Sequence, residues 1–192
     1  MGRWEPGAQA RLQQAAVELF VERGYAEVTV DEIARRAGLT KRSFFNHFTD
    51  KREVLFAGAK DFEDSVAAHL AEAAGALEPI DAALVALTRA CLELVGYADF
   101  ARTRQELIAS STELRERDLI KMAALATAIA GTLSRCGIPE ASAKLTAQAA
   151  VAVFTAAYAD WIEKGPAADL HTLMRQSLTD LRRAVGAPRS LE

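Results

Sequence analysis

Apolar positions along the chain recur every three or four residues, which is the spacing of one face of an α-helix. In the first such segment the apolar face is formed by Leu12, Ala15, Ala16, Leu19 and Phe20. Gly24 follows this segment and suits a helix end. Glycine, proline and capping residues divide the rest of the chain into further segments of this kind. The pattern predicts an all-α protein with about nine helices.

Capping residues predict where several of these helices start. Thr29 and Glu32 have the spacing of a capping box before the second helix, and Thr40 can cap a third. Asp50-x-x-Glu53 predicts the start of a long fourth helix, and Ser110-x-x-Glu113 predicts the start of the seventh. The expected ranges are 6–23, 29–37, 41–48, 50–74, 79–95, 99–109, 110–135, 140–163 and 170–185.

The second and third helices have the arrangement of a helix-turn-helix. Two short helices joined by three or four residues that include glycine form this motif. Gly38 suits the left-handed turn conformation, which a β-carbon would make costly. The apolar wedge between the helices is expected to consist of Ile33, Leu39, Phe44 and Phe48. The first helix then closes a three-helix core.

This packing leaves polar side chains on the exposed side of the third helix. Arg42, Ser43 and Asn46 have side chains that suit base edges in the major groove. Five other residues are better placed for phosphates, namely Thr29, Thr40, Lys41, His47 and Lys51. A three-helix core without a DNA role would explain the glycine and the apolar wedge, but not the cations that accompany them.

The same segment resembles the TetR family of bacterial repressors. The motifs are Leu12-x-x-Ala15-Ala16-x-x-Leu19-Phe20, Gly24-Tyr25, Thr29-x-x-x-Ile33-Ala34-x-x-Ala37-Gly38, Phe44-Phe45-x-His47-Phe48 and Lys51-x-x-x-Leu55. They cover about the first quarter of the chain. The family usually has tyrosine at the position of Phe45, where a hydroxyl can contact a phosphate. We therefore assign Phe45 to packing and leave it out of the predicted DNA contacts.

The resemblance implies a DNA-binding domain over residues 1–50 and a ligand-binding and dimerisation domain over 51–192, joined by the long fourth helix. It also implies a homodimer formed through helices near 140–163 and 170–185. The eighth helix is apolar on more than one face, which favours burial nearly all round. The ninth helix adds Leu170, Leu173, Met174, Leu178 and Leu181. A single large core is the alternative explanation of these apolar faces.

A small-molecule effector is the second implication of the resemblance. Candidate pocket residues are Cys91, Tyr97, Phe100, Leu107, Met122, Leu125, Phe154, Tyr158 and Trp161. The same residues also suit an ordinary core. Few charges interrupt the fifth and eighth helices, so we expect an apolar or amphipathic effector. Arg89, Arg102 and Arg104 are candidates for contact with an acidic head group.

Charge and composition refine this interpretation. The 192-residue chain has a formal net charge of −3, yet residues 1–55 hold nine basic and eight acidic side chains. Within residues 33–52 there are six basic side chains and one acidic side chain, which places positive charge around the helix-turn-helix. Cys91 and Cys136 lie far apart and are expected to be free thiols in a reducing compartment.

The resemblance implies a bacterial protein associated with the nucleoid. We expect it to be cytoplasmic, because the sequence shows no signal-peptide pattern and no apolar run long enough to span a membrane. We expect no cofactor, catalytic site or metal site. His69-x-x-Glu72 has a spacing seen in metal-binding bundles, but it lacks the further ligands that such sites need.

The sequence therefore predicts a regulator that binds specific double-stranded DNA, a repressor released from a palindromic operator by a small ligand. Two alternatives stay open at this point. One is an architectural or activating DNA-binding protein without a ligand. The other is a helical ligand-binding or enzymatic protein whose head has lost DNA binding.

Overall fold

The computed structural model describes residues 7–93, 98–165 and 168–186. Over these ranges the chain forms nine α-helices and no β-strand, so the predicted all-α class is confirmed. The helices are α1 (Ala8–Arg23), α2 (Val30–Arg36), α3 (Lys41–His47), α4 (Ala59–Ala73), α5 (Pro79–Glu93), α6 (Ala98–Ser110), α7 (Thr112–Arg135), α8 (Glu140–Lys164) and α9 (Leu170–Val185). None of the helices in these ranges is long and apolar enough to cross a lipid bilayer.

The first three helices form because their apolar residues share one face and their ends are capped. Leu12, Leu19 and Phe20 of α1 are buried, as the helical spacing predicts. Both halves of the predicted capping box at Thr29 and Glu32 are present at the start of α2. The Thr29 hydroxyl accepts the Glu32 amide and the Glu32 carboxylate accepts the Thr29 amide, so two backbone donors at the helix start are satisfied.

The predicted long fourth helix is wrong in its first half. Arg52–Phe56 form a short 3-10 helix, and α4 begins only at Ala59. Gly58 separates the two segments with a φ of +83°, which lies outside the helical region. The Asp50 carboxylate accepts hydrogen bonds from the amides of Arg52 and Glu53, but the Glu53 side chain binds other partners instead of completing a capping box.

The start of α7 also differs from the prediction by one residue. The hydroxyl of Ser111 accepts the amide of Leu114, at 3.5 Å, and thus caps the helix. Ser110 lies at the end of α6, where its hydroxyl donates to the carbonyl of Leu107. Ser110 was therefore the wrong choice of cap, because two adjacent serines offer the same signal and the preceding helix uses the first.

The chain divides into two compact units. The first consists of Met1–Lys60 together with Asp99–Lys121. Its core includes Phe20, Ile33, Phe44 and Leu55, and residues Leu107, Ile108 and Leu114 of α6 and α7 belong to the same cluster. The first unit thus contains the three-helix head and a segment that the sequence assigned to the C-terminal domain. The functional boundary near residue 50 stays a prediction.

The second unit consists of Asp61–Ala98 together with Met122–Glu192. In it α8 packs against α5 and α9. Eight α8 residues are buried, among them Ala147, Phe154 and Trp161, but the opposite side of the helix is exposed in the single chain. Leu170, Met174 and Leu178 of α9 are buried within the chain itself.

Candidate nucleic-acid interface

The turn between α2 and α3 sets the direction of the third helix. Gly38 adopts a φ of +67°, as the sequence predicts for a left-handed turn residue. The amide of Leu39 donates to the carbonyl of Ala34 at 2.8 Å and closes the turn. Thr40 then caps α3 by accepting the amide of Ser43 at 3.1 Å. Backbone groups and one hydroxyl therefore fix where α3 begins.

Burial decides which side of α3 faces the core. Ile33 and Phe44 are completely buried and Phe48 is 5% exposed, so the predicted wedge is present, with Leu39 half-buried at its edge. Four of the predicted DNA-contacting residues lie exposed on the remaining surface, namely Lys41, Arg42, Asn46 and His47. Helix α3 thus packs on the core with one side and presents polar side chains on the other, which is the geometry that places side chains in a major groove.

Three of the predicted contact residues have hydroxyls that already form hydrogen bonds within the chain, and two of these hydroxyls, those of Thr29 and Thr40, cap helices. The Thr29 hydroxyl donates to the Glu32 carboxylate at 2.7 Å. The hydroxyls of Thr40 and Ser43 lie 2.9 Å apart and share a hydrogen bond. A phosphate oxygen accepts hydrogen bonds, so the Thr29 hydroxyl can bind one only if its proton turns away from Glu32, whereas whichever of Thr40 and Ser43 accepts the shared bond keeps a free proton.

Most cations around the motif pair with neighbouring carboxylates. Arg36 binds Glu18 and Glu22, which lowers the pKa of the Glu22 carboxyl through a hydrogen bond from the guanidinium. Lys41 lies 3.2 Å from Asp31. Arg52 forms an ion pair with the Asp50 carboxylate. Arg42 differs, because it makes no hydrogen bond or ion pair with any residue that the structure describes.

Lys51 has surroundings unlike those expected for a phosphate contact. Its Nζ donates to the carbonyls of Tyr25 at 2.7 Å and Val28 at 2.8 Å, and it lies 4.1 Å from the centre of the Tyr25 ring. Burial lowers the pKa of its ammonium. These contacts support a role in positioning the loop before α2, and phosphate binding by Lys51 stays a prediction.

Phe45 is a residue that the sequence analysis missed. Its side chain is 50% exposed, although the sequence analysis assigned it to packing. Phe44, which is buried behind it, contacts its ring edge-on with the centroids 5.5 Å apart. Helical spacing was the signal that could have found it, because Phe45 follows Lys41 and Arg42 at i+4 and i+3 and therefore shares their face.

Side chains of α6 and α7 bind the region around the 3-10 helix. The Glu53 carboxylate accepts hydrogen bonds from Arg117 and, at 3.0 Å, from Lys121. Burial opposes ionisation of Glu53, yet these two partners outweigh it and lower its pKa. Arg104 donates to the Leu55 carbonyl at 3.0 Å and pairs with Asp118. Arg104 is therefore engaged within the first unit, which argues against its suggested contact with an effector head group.

A further hydrogen bond connects α7 with the turn that follows α1. The Tyr25 hydroxyl donates to the Glu113 carboxylate at 3.1 Å. Burial, together with this carboxylate, raises the pKa of Tyr25. The hydroxyl is therefore held in its protonated, donating form.

The predicted pocket residues do not all fall in one unit. Phe100 and Leu107 belong to the first unit, and Leu107 lies in its hydrophobic core. Tyr97 lies outside the described residues. The second unit holds the other six, which are Cys91, Met122, Leu125, Phe154, Tyr158 and Trp161. Their role in a pocket stays a prediction.

Three of these six form a row of aromatic rings along α8. Phe154 and Tyr158 have centroids 5.5 Å apart, and Tyr158 and Trp161 stack at 5.8 Å. Phe62 of α4 stacks on Phe154 at 6.0 Å and extends the row, although the sequence analysis did not include it. Cys91 is a free thiol whose pKa burial raises to about 12, so it is held as an unreactive, protonated group.

Comparison with known proteins identifies the family. Residues 12–57 match the family model of bacterial regulatory proteins of the TetR family, and residues 78–186, more than half of the chain, match the model of the MftR C-terminal domain. The chain belongs to the TetR family of transcriptional regulators. It is accordingly a DNA-binding transcriptional regulator with a helix-turn-helix.

Individual relatives agree with this assignment over parts of their length. The chain is 33% identical over 81 residues to the protein named as mycofactocin biosynthesis transcriptional regulator MftR of Mycobacterium tuberculosis, which is 42% of this chain and 37% of that protein. It is 47% identical over 45 residues to the regulator SrpR of Pseudomonas putida, or 23% of this chain and 21% of that one. The chain thus matches well under half the length of these relatives.

Solved structures share the fold over nearly the whole chain. The fatty acid degradation regulator FadR of Bacillus halodurans has a TM-score of 0.60 at 19% identity, covering 97% of this chain and 100% of that one. The regulator SmeT of Stenotrophomonas maltophilia, in a complex with triclosan, has a TM-score of 0.57 at 19% identity, covering 93% and 91%. At this identity the likeness concerns the fold.

Proposed function

We propose that the protein is a homodimeric repressor that binds a near-palindromic operator and leaves it when a small apolar or amphipathic ligand binds. The observation that carries the proposal is the exposed face of α3, where Arg42 and Asn46 lie free of intramolecular partners that the structure describes. Arginine suits guanine and asparagine suits adenine in the major groove. In the proposed homodimer, α3 of the second copy of the chain binds the other half-site of the operator.

The proposed DNA contacts follow from this face. Arg42, Ser43 and Asn46 read base edges, and Lys41 and His47 contact phosphates. Thr29 and Thr40 lie at helix starts, where backbone amides also attract anions. The head within residues 1–50 thus binds DNA in this proposal, and residues 51–192 provide dimerisation and ligand response.

Support for a homodimer comes from the exposed side of α8. Five alanines and one leucine recur there at helical spacing, and all are exposed except the half-buried Ala149: Ala141, Leu145, Ala149, Ala152, Ala156 and Ala159. We call this set the alanine face of α8. Leu145 is 73% exposed in the single chain. Such small residues allow a second helix to approach closely, whereas Leu170, Met174 and Leu178 of α9 are already buried within the chain.

Support for a ligand comes from the aromatic row of Phe62, Phe154, Tyr158 and Trp161. Aromatic and aliphatic side chains line most small-molecule sites, with a few polar groups that fix orientation. SmeT, which shares the fold, has been solved with triclosan. A ligand releases the protein from DNA in this proposal only if it binds the DNA-free conformation more tightly.

Selection of binding sites from a random pool of double-stranded DNA tests the proposal. We expect a recovered sequence with two inverted half-sites about one helical turn apart or a multiple of it. Arg42→Ala is expected to weaken binding to that sequence by about 1–3 kcal/mol while changing binding to random DNA little. Arg35→Ala, which removes another exposed positive charge, from α2, is the matched control and should weaken binding to both DNAs by similar small factors.

A reporter gene placed behind the recovered sequence separates repression from activation. The relative FasR of Mycolicibacterium smegmatis, 37% identical over 65 residues, is named as an activator, so both outcomes have precedent among similar proteins. We expect transcription to fall when the protein is present. Addition of triclosan, the probe suggested by the SmeT complex, tests ligand response directly, and transcription that rises with the protein would reject the repressor.

A further inference from the structure

Phe45 is the exception among the three phenylalanines of the segment that contains α3. Phe44 is fully buried and Phe48 is 5% exposed, whereas Phe45 is 50% exposed. Exposing an aromatic ring on an otherwise polar helix forgoes the free energy that its burial would supply. The exposed ring is therefore a feature that the fold of the head does not explain.

The position of Phe45 places it among the side chains proposed to read DNA. It follows Arg42 by three residues and precedes Asn46 by one, so all three lie on the same exposed side of α3. Three residues of a helix rise about 4.5 Å, which is close to the rise of one base pair. A contact made by Phe45 thus falls within about two base pairs of the one made by Arg42.

The ring is also held in place from behind. Phe44 meets it edge-on, with an interplanar angle of 82° and the centroids 5.5 Å apart. Such an arrangement is favourable for two aromatic rings. Phenylalanine has only two side-chain torsions, so little conformational freedom is lost when this ring contacts a partner.

The chemistry of the ring selects one partner in the major groove. Phenylalanine has no donor or acceptor, so it forms no conventional hydrogen bond with a phosphate or a polar base edge. The apolar group that the major groove presents is the C5-methyl of thymine. We propose that Phe45 is a specificity-determining residue that recognises one thymine in each half-site through this methyl group. This inference rests on the proposed function, because it requires α3 to enter the major groove.

The test uses the DNA sequence that the wild-type protein selects from a random pool. Each thymine of the half-site is replaced in turn by deoxyuridine, which removes only the C5-methyl group. We expect one position per half-site at which the wild-type protein binds about fourfold more weakly, the loss that corresponds to one buried methyl-sized group. That thymine should lie within two base pairs of the base affected by Arg42→Ala.

Three variants connect this methyl dependence to Phe45. In Phe45→Ala the penalty for deoxyuridine at that position should vanish, whereas Phe45→Tyr should keep it because the ring remains. Val21→Ala is the matched control, since Val21 is a 61% exposed apolar residue of α1, and it should also keep the penalty. Circular dichroism verifies that each variant folds, and the wild-type measurement does not depend on any variant.

The failures of the two proposals are distinguishable. If the wild-type protein selects no DNA sequence, the proposed function is overturned, and the role of Phe45 with it. If a sequence is selected but every thymine tolerates deoxyuridine, or the half-site contains no thymine, only the role of Phe45 is overturned. A penalty that persists in Phe45→Ala overturns it as well, because another residue would then contact the methyl group.

Discussion

Lys51 and Lys41 are two lysines of the first unit whose ammonium groups have different surroundings. Lys51 is half-buried and donates to two backbone carbonyls, whereas Lys41 is exposed beside Asp31. We expect Lys51→Met to lower the free energy of unfolding by about 1–3 kcal/mol, because two carbonyl oxygens lose a charged donor and are left unsatisfied. Urea denaturation followed by circular dichroism measures the change.

Lys41→Met is the matched control for this substitution. It removes an ammonium group of the same size from an exposed ion pair, and such pairs contribute about 0–1 kcal/mol. We therefore expect its unfolding free energy to stay close to that of the wild type. If Lys51→Met were equally harmless to stability, the positioning role would be rejected and phosphate binding would be the better explanation of the lysine.

Sequence alone predicted the polar residues of α3 but not every role around them. Lys41, Arg42 and Asn46 could be placed because helical periodicity assigns each position to a face. The same helical periodicity places Phe45 on the exposed face, although it was assigned to packing because it lacks the hydroxyl of the tyrosine that the family usually has there. Lys51 was not predictable, since its partners are backbone carbonyls 23 and 26 residues earlier in the chain, and no side-chain pattern marks them.

The capping box at the start of α2 contains a carboxylate that the fold keeps ionised. Hydrogen bonds from Arg23, and then from Thr29, lower the pKa of Glu32 from 4.5 to about 2. Because the folded pKa lies below the unfolded value, this stabilisation is present above about pH 4.5 and is lost as the pH falls through about 2. Acid should therefore weaken the anchoring of α2.

Glu32→Gln tests this pH dependence. Glutamine can still complete a capping box, but it cannot form the ion pair with Arg23. We expect the variant to have a lower Tm than the wild type near neutral pH, and the difference should shrink as the pH falls below about 4.5 and disappear below about 2. Thermal denaturation over this pH range measures it. A difference that stays constant with pH would mean that the charge of Glu32 contributes no stability.

Gly58 lies between the 3-10 helix and α4 in a conformation that L-residues avoid. Its φ is +83°, and no atom lies within 4 Å of the position that a β-carbon would take. The cost of Gly58→Ala therefore comes from the backbone and not from a clash. We expect the free energy of unfolding to fall by about 1–2 kcal/mol. Urea denaturation with an unchanged m-value checks this expectation.

Gly131 of α7 is the matched control for Gly58. It lies inside a helix, and an added β-carbon would meet only the end of the Arg135 side chain at an ordinary contact distance of 3.5 Å. Gly131→Ala should thus raise the free energy of unfolding by up to about 1 kcal/mol. If Gly58→Ala were stabilising as well, the segment around residue 58 would adopt a continuous helix in solution.

The elements show where local patterns are sufficient for prediction and where they fail. The caps at Thr29 and Thr40 were predicted correctly because each depends only on neighbouring residues. The long fourth helix was wrong because Glu53 binds Arg117 and Lys121, which lie more than 60 residues later. The presence of Gly58 did not predict a break in the helix, since glycine within an apolar pattern is also tolerated inside helices.

At the scale of the whole molecule, the first unit contains residues 99–121 as well as the head. Leu107, Ile108 and Leu114 pack in the same core as the helix-turn-helix, and Arg104, Arg117 and Lys121 bind the region around the 3-10 helix. The sequence pattern predicted both helices. It could not predict which distant surface their apolar faces cover, because many apolar surfaces of the chain are chemically alike.

The alanine face of α8 gives the prediction that concerns the assembled protein. If two copies pack through this face, a charge placed at its centre is buried without a partner and opposes association. We expect Ala152→Glu to be monomeric at concentrations where the wild type is dimeric, as measured by sedimentation. Ala68→Glu, on an exposed position of α4, is the matched control and should leave the dimer intact.

DNA binding by the same variant separates the contribution of each head from that of the dimer. A monomer still presents one α3, so Ala152→Glu should bind an isolated half-site as tightly as a single wild-type head does. On the full operator it loses the second, tethered contact, which multiplies affinity by about 10²–10⁴ when linkage is effective. We therefore expect a loss of that size on the operator and none on the half-site. A variant that remains dimeric would place the interface elsewhere on the chain, and one that loses half-site binding would show that α8 also supports the head.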